Sequence, residues 1–311
     1  MPRRGGGLFP DDYPYMAKIQ LMALRHSAFY SPYLMTIAGG YLQDEGLEPQ
    51  YAAASRDRSV AEGFASGICH VAQSAVATSF AGLDDGATPD IVHFAQINSR
   101  DGFFIVARRP DPEFSWSRLA SADVLVDHFF QPLAMLRYGL HRQGIDYESL
   151  RAIDAGGVDE MVQAFRAGIG GYVHLQGPAA QQLEHDGVGH VVAAVGDAVG
   201  EVAFSSLCAR RAWLSTDMAG AFMRAYRRAL ACVLTVSPAD IAVQLQRAGF
   251  FVDVDRLVLT ETIRAYRNLG CWRADPEISR GAYDNLLDVF SFNRMIETRH
   301  PYHSAIVAPP A

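Results

Sequence analysis

A histidine and two aromatic residues stand close together in the loop of residues 26–30, His-Ser-Ala-Phe-Tyr. Residues 18–24 before this loop are largely apolar and of strand length, and Ser31 after it begins a helical pattern. Residues 47–52 predict a second strand, so the unit is β-α-β with its loop at the carboxyl end of the first strand. Ligands bind at such ends because helix N-termini and free backbone N–H groups converge there. We therefore expect a ligand to contact His26, Phe29 and Tyr30.

Further polar and aromatic side chains follow later predicted strands. If two sheets of this kind face each other, their strand ends line one cleft between them, and a flat ligand could lie against Phe29, Tyr30 or Phe129. One wall then carries, besides the first loop, Arg56, Gln73, Ser74 and Asn98. The opposite wall carries His128, Phe129, Gln131, Gly156, Gly157 and Gln176.

The histidines leave several chemical interpretations open. His26 and His128 could each donate to a ligand oxygen, act as an acid or base near neutral pH, or bond only a neighbouring carbonyl. His174 ends a predicted strand and faces either the cleft or the core. These three histidines could meet across a closed cleft around a metal, but their spacing does not predict a metal site. Cys69 and His70 are adjacent on a strand and face opposite ways, so we expect a buried, hydrogen-bonded histidine there.

Two other features could bind an anion. Arg56, Arg58 and Arg100 have the fork geometry that holds a carboxylate, phosphate or sulfonate, or they are solvated loop charges. Gly156 and Gly157 lack the G-x-G-x-x-G pattern of a phosphate-binding loop. They indicate instead a close backbone approach at the start of a helix.

Ser27 beside His26 is too near in sequence to be taken as a nucleophile and its base without a third orienting group.

The composition excludes several classes of function. The 311 residues carry a formal net charge of −7, and no block of lysine or arginine offsets it, which argues against nucleic acid binding. No apolar run approaches the ~20 residues of a membrane-spanning helix, so we expect no membrane insertion.

The cysteines are far apart and form no C-x-x-C pair. They predict reduced core thiols at Cys69, Cys208, Cys232 and Cys271.

The beginning of the sequence bears on location. Residues 1–15 are rich in glycine, proline and acidic residues and predict a flexible arm. They contain two arginines but no apolar segment of the kind found in secretory signals. Met16 would serve as a start directly before the first strand. We therefore expect a cytoplasmic protein, or a periplasmic one if a leader has been removed.

Strands alternate with helices at a spacing that predicts an α/β fold with parallel sheets. Residues 16–107 form the first part of lobe 1, and a break at residues 98–102 precedes the strand 103–107. The linker at residues 109–113 contains two prolines, and residues 108–203 form lobe 2. Residues 204–311 return to lobe 1 and are mostly helical. Ser215–Asp217 and Ser237 predict the caps of two of these helices.

Four stretches resemble one known family, in the same order along the chain. Residues 38–48, AGGYLQDEGLE, resemble its signature GYF.DEGL.V, and residues 65–72, ASGICHVA, resemble L.SGE.D.A. Residues 101–108, DGFFIVAR, followed by SRL at 117–119, resemble G..LVAR….S..DLKGK. Residues 275–279 with Pro301 and Tyr302 resemble the closing segment. The family is the SsuA/THI5-like branch of type-2 periplasmic binding proteins, whose members bind nitrate, sulfonates, taurine and the pyrimidine precursor of thiamin.

This resemblance implies two doubly wound α/β lobes with an interlobe cleft. It also implies a solute-binding protein that holds a small polar or anionic organic molecule, such as a sulfonate, a carboxylate or a pyrimidine-like compound, and that has an ABC transporter permease as a possible partner. No cofactor is expected. The alternative is a cytoplasmic enzyme on the same scaffold, in the style of a pyrimidine synthase, decarboxylase or desulfinase, with His26 and His128 as acid and base. A third possibility is a cytoplasmic sensor that reports a ligand to a partner. The cysteine-rich iron motif of the yeast pyrimidine synthase and the first-loop cysteine of the desulfinase have no counterpart here.

Overall fold

The structure, a computed structural model, describes residues 16–55 and 57–311. The predicted arm, residues 1–15, and Arg56 lie outside the described residues. The strands are β1 Ala17–Ala23, β2 Leu47–Ala53, β3 Val71–Ser74, β4 Ile91–Asn98, β5 Phe103–Ala107, β6 Asp123–Leu125, β7 Arg151–Ile153, β8 Tyr172–Gln176, β9 His190–Ala194 and β10 Ser205–Arg210.

Helices fill most of the chain between the strands and after the last one. They are α1 Ser31–Ala38, α2 Tyr41–Asp44, α3 Val60–Ala65, α4 Phe80–Asp84, α5 Phe130–Arg142, α6 Val158–Arg166, α7 Ala179–His185, α8 Val195–Val199, α9 Asp217–Thr235, α10 Pro238–Arg247, α11 Arg256–Asn268, α12 Arg280–Phe292 and α13 Tyr302–Ala305. None of the described helices is long and apolar enough to cross a membrane.

Local sequence signals explain where several helices begin. The Ser59 hydroxyl accepts a hydrogen bond from the Glu62 backbone N–H, and the Glu62 carboxylate accepts one from the Ser59 N–H, so a capping box starts α3. The Thr216 hydroxyl caps α9. Ser237 caps α10, with Pro238 at its first position. The caps predicted in this half of the chain are therefore confirmed.

The strands form two five-stranded sheets, in the orders β2-β1-β3-β10-β4 and β7-β6-β8-β5-β9. In the first sheet β10 runs antiparallel to both of its neighbours, and in the second sheet β5 does the same. The two-lobe α/β prediction is confirmed. The expectation of purely parallel sheets is wrong, because each sheet contains one strand that enters from the other lobe and runs in the opposite direction.

The position of β5 changes the predicted lobe boundary. Phe103–Ala107 was assigned to lobe 1, but it pairs with β8 and β9 in the second sheet. The chain therefore leaves the first sheet directly after β4, and residues 99–102 form the first crossover. Residues 200–204 form the second crossover, which leads from α8 into β10. The chain re-enters the first sheet at Ser205, the first residue of β10.

A buried asparagine joins the two crossovers to the first loop. The Asn98 Nδ2 donates to the Phe29 carbonyl at 2.8 Å, and the Asn98 Oδ1 accepts a hydrogen bond from the Ser205 hydroxyl. The Phe204 N–H donates to the Asn98 carbonyl at 3.2 Å. Since Asn98 is fully buried, these bonds are shielded from water and fix the crossovers beside one another.

Asp101 is a second buried polar residue at the first crossover. Its Oδ1 accepts a hydrogen bond from the Phe103 N–H at 2.6 Å, and its Oδ2 has no partner among the described residues. Burial raises the pKa of Asp101 to about 8, an effect that outweighs the lowering by the Phe103 N–H. At neutral pH the folded protein therefore holds this carboxyl mostly protonated.

Replacement of Gly102 by alanine should destabilise the protein. A Cβ at Gly102 would overlap the buried ring of Phe29, and forcing extra atoms into a packed core costs about 1–3 kcal/mol. The matched control is Gly281→Ala, where a Cβ meets nothing within 4 Å and a helical glycine is removed. That change should leave the free energy of unfolding unchanged or raise it by up to about 1 kcal/mol. Urea denaturation of both variants measures this difference, and equal stabilities would contradict the packing described at the crossover.

The contribution of Asp101 to stability should be lost as pH rises from about 4 to about 8. Its folded pKa of about 8 lies above the ordinary value of 3.8, so unfolding releases a proton within this window and is favoured as protons become scarce. Asp101→Asn replaces the carboxyl by an amide, which does not titrate in this pH range. The loss in unfolding free energy between pH 5 and pH 9, measured by urea denaturation, should be smaller in the variant than in the wild type. Parallel pH profiles would show that Asp101 does not titrate as described.

Candidate functional site

A cavity of about 40 Å³ lies between the lobes, at the strand ends. We call it the interlobe cavity. Five residues predicted from the sequence line it: Tyr30, Gln73, Phe129, Gln131 and Gln176. Its other lining residues are Leu24, Arg25, Ala75, Phe103, Pro132, Phe204 and Ser205. The volume accommodates only a few water molecules, so an organic ligand could enter only when the lobes separate.

A larger cavity, about 560 Å³, lies within lobe 1 between α3 and α4. Ser74 borders it, so the structure places this predicted site residue away from the interlobe cavity. Its walls include Val60 and Phe64 of α3 and Ile91 at the start of β4, and no residue of lobe 2 lines it. We place the candidate site in the interlobe cavity because both lobes contribute side chains there.

Gln73 positions the first-lobe wall. Its Oε1 accepts hydrogen bonds from the backbone N–H groups of Leu24, at 3.0 Å, and Arg25, at 3.3 Å. Its Nε2 donates to the Ser74 carbonyl at 3.3 Å. The two backbone donors show which end of the amide carries the oxygen, and both ends of the amide are bonded to the backbone. Gln73 therefore holds the end of β1 in place and offers little free hydrogen-bonding capacity to a ligand.

Tyr30 lies on the same wall and is buried. Burial raises the pKa of Tyr30 to about 12, against the opposing effect of the Arg25 charge. The phenol is therefore neutral at any physiological pH. Tyr30 shares the cavity with Gln176, which belongs to lobe 2.

The second-lobe wall contains an unpaired acceptor. The Gln131 Nε2 donates to the Phe204 carbonyl at 2.7 Å, so the amide nitrogen faces that carbonyl and the oxygen points the other way. Oε1 of Gln131 is buried and has no partner among the described residues. Buried polar atoms are normally paired, so this oxygen is a position where a bound molecule could donate a hydrogen bond.

An arginine that the sequence analysis did not single out bridges the lobes. Arg25 Nη1 lies 3.7 Å from the Oδ2 of Asp127, and the guanidinium carbon stands 4.3 Å from the ring centroid of Phe129. The Asp127 Oδ1 accepts a hydrogen bond from the Phe129 N–H at 2.8 Å. Arg25 directly follows the first predicted strand, one residue from His26, and this strand-end position was the available signal.

His26 and His128 lie outside the interlobe cavity. The His26 Nδ1 is 3.0 Å from the Tyr51 hydroxyl, and its ring stacks on Phe251 at 4.5 Å. Burial lowers the pKa of His26. The exposed His128 donates from Nδ1 to the Val126 carbonyl at 2.8 Å. The structure thus does not bring the two acid/base candidates together on the cavity wall.

His174 lies in the core of lobe 2. It is fully buried, its ring centroid is 4.6 Å from that of Phe103, and neither ring nitrogen has a partner among the described residues. Burial, followed by the nearby His128, lowers the pKa of His174 to about 3, so the ring is neutral. The described residues contain no cluster of three or more His, Cys, Asp or Glu side chains that could hold a metal. His70 accepts a hydrogen bond from the Gln20 N–H, and all four cysteines are buried and free.

Phe29, Asn98 and Gly157 have structural positions instead. Phe29 is fully buried, and its carbonyl accepts hydrogen bonds from Asn98 and from the Trp272 indole, at 3.0 Å for the latter. Its ring packs against Tyr266 and is not available to a ligand, so the stacking role expected of Phe29 is not supported. Gly157 is the residue before α6, away from the interlobe cavity.

The arginines and the other glycine singled out from the sequence also lie elsewhere. Arg100 lies within the first crossover and donates to the Gly196 carbonyl at 3.2 Å. Arg58 is exposed in the loop after β2. Gly156, with a φ of 98°, takes the left-handed backbone conformation before α6. None of these residues lines the interlobe cavity.

Known proteins resemble this chain over nearly its whole length. The Bacillus subtilis (strain 168) protein YtlA, whose provisional name is that of a binding protein, is 26% identical over 295 residues, which are 94% of this chain and 88% of YtlA. The fold is similar to that of the alkanesulfonate-binding protein SsuA from Xanthomonas axonopodis pv. citri, bound to MOPS. That match has a TM-score of 0.68 and 13% identity, and it covers 94% of this chain and 98% of the other.

The periplasmic aliphatic sulphonate binding protein SsuA from Escherichia coli gives a TM-score of 0.69 at 12% identity, over 93% of this chain and 97% of the other. At such identities these structures establish the two-lobe fold alone. The sequence profile described as NMT1/THI5 like matches residues 28–236, well over half of the chain. The chain therefore belongs to the NMT1/THI5-like family.

Proposed function

We propose that this chain is a solute-binding protein that closes its two lobes around a small polar organic molecule. The observation that carries the proposal is the interlobe cavity, whose walls come from both lobes and whose contacts, Arg25 with Asp127 and Arg25 with Phe129, cross the gap. Such contacts form only when the lobes are closed. A ligand that joined both walls would therefore favour the closed state.

Family membership and fold support the same proposal. YtlA bears a binding protein's name, and two of the similar structures are sulfonate-binding proteins by title. A further similar structure, from Staphylococcus aureus, is titled as the ligand binding component of an ABC-type import system. We infer that this chain also delivers its ligand to an ABC-type permease and works on the outer side of the membrane. Fractionation of the native cells would separate this location from the cytoplasmic one expected from the sequence.

Phe129→Ala should reduce ligand occupancy. Phe129 lines the interlobe cavity but is 48% exposed, so its removal should leave the fold intact. The matched control is Phe292→Ala, which removes a similarly exposed ring, 44%, from a helix outside the cavity. After incubation with a small-molecule extract of the expressing cells, native mass spectrometry should find the bound fraction lowered about tenfold or more by Phe129→Ala, and unchanged by the control. Equal occupancy in the two variants would exclude this cavity as the site.

His26→Ala and His128→Ala should bind the same ligand as the wild type does, because neither side chain lines the interlobe cavity. The ligand should also be recovered with its mass unchanged after hours at 25 °C. Chromatography of the released molecule measures both results. Conversion to a second compound that stops in either histidine variant would instead support the enzyme alternative.

A further inference from the structure

The hydrogen-bonding capacity of the interlobe cavity is unbalanced between donors and acceptors. The Gln73 amide is bonded to backbone groups at both ends, and the Ser205 hydroxyl donates to Asn98. Gln131 differs, because no described residue donates to Oε1 while Nε2 is bonded. Gln131 is only 5% exposed, so bulk water does not satisfy this oxygen in the closed state. Among the described residues that line the cavity, the one fully buried side-chain atom without a partner is this acceptor.

The charges around the cavity are already paired. Among residues 16–55 and 57–311, Arg25 is the only charged residue that lines it, and its guanidinium faces the Asp127 carboxylate at 3.7 Å. The Asp127 side chain is 8% exposed, so this negative charge is close to the site and poorly screened. Arg25 also stacks on Phe129, which holds it against the lobe 2 wall. The cavity therefore has no unbalanced positive charge to offer.

An oxyanion would be poorly matched to these groups. A sulfonate or carboxylate oxygen placed near Gln131 would face the lone pairs of Oε1 instead of a donor. Near Arg25 it would compete with Asp127 for the same guanidinium, and two negative groups would then share one cation. A neutral N–H group meets neither penalty, because it donates to Oε1 and does not compete with Asp127 for the Arg25 guanidinium.

The rings around the cavity add a shape preference. Tyr30, Phe103, Phe129 and Phe204 all line it. Aromatic walls favour a flat apolar body, and a small number of polar groups then set its orientation. We propose, on the basis of the solute-binding function above, that the ligand is an uncharged planar molecule with an amide-type N–H that donates to Gln131, and that oxyanions are excluded. Gln131 and Asp127 are its specificity-determining residues.

Pairs of compounds that differ only in charge provide the test. The probes are benzamide against benzoate, nicotinamide against nicotinate, and benzenesulfonamide against benzenesulfonate, each titrated into the full-length protein by calorimetry. In the wild type the neutral member of each pair should bind at least about tenfold more tightly than the anion. Anions that bind as tightly as the neutral members, or a failure of all three neutral compounds to bind, would overturn the proposal.

Two variants connect the preference to the named residues. Gln131→Leu removes the acceptor and should weaken binding of the neutral compounds about tenfold, whereas Gln143→Leu, the same change at an exposed position after the same helix, should not. Asp127→Asn keeps an oxygen for the Phe129 N–H but frees Arg25, so it should strengthen binding of the anions several-fold. If Gln131→Leu does not fold, the anion affinity of Asp127→Asn still tests the proposal. Unchanged anion affinity in Asp127→Asn would contradict the charge argument.

Failure of this inference can be told apart from failure of the solute-binding function. Small-angle scattering with and without the cellular extract reports lobe closure irrespective of ligand class. Closure on an anion isolated from the extract would retain the proposed function and overturn the neutral-ligand inference. The absence of closure on any component would overturn the proposed function itself.

Discussion

The placement of the site depends on a small set of buried hydrogen bonds where the chain passes between the two sheets. Asn98 bonds to the first loop through the Phe29 carbonyl and to the second crossover through Ser205 and Phe204. Gln131 extends the same network into lobe 2 by donating to the Phe204 carbonyl. Because these groups are buried, breaking one leaves an unpaired polar atom, which costs about 1–3 kcal/mol. The carboxyl edges of both sheets are thereby held on the same side of the crossovers.

The fold could be predicted from the sequence to a large extent because its signals are local. Alternating strands and helices, with Ser, Thr and Pro at helix starts, indicate the elements and their order. The assignment of β5 failed for a different reason: strand pairing is non-local, and nothing in Phe103–Ala107 distinguishes one sheet from the other. Its partners, β8 and β9, are about 70 residues or more away in the chain.

The site could be predicted only in part, since a strand-end position specifies the neighbourhood of a side chain but not its direction. Tyr30 and Phe29 are adjacent, yet a turn of 3₁₀ helix directs Phe29 into the core and leaves Tyr30 on the cavity wall. His26 turns toward Tyr51 and Phe251, and the neighbouring Arg25 reaches the other lobe. A shift of one residue along a loop reverses which side chain faces the gap, and no periodicity in the sequence records it.

The two glutamines of the cavity have unequal freedom to change. Gln73 holds two backbone N–H groups of the first strand's end, so any substitution there disturbs the chain that carries Arg25. Gln131 gives one hydrogen bond to the second crossover and keeps its other end unused. During evolution a descendant of this protein could therefore change its ligand specificity more easily through substitutions in lobe 2 than through substitutions in lobe 1.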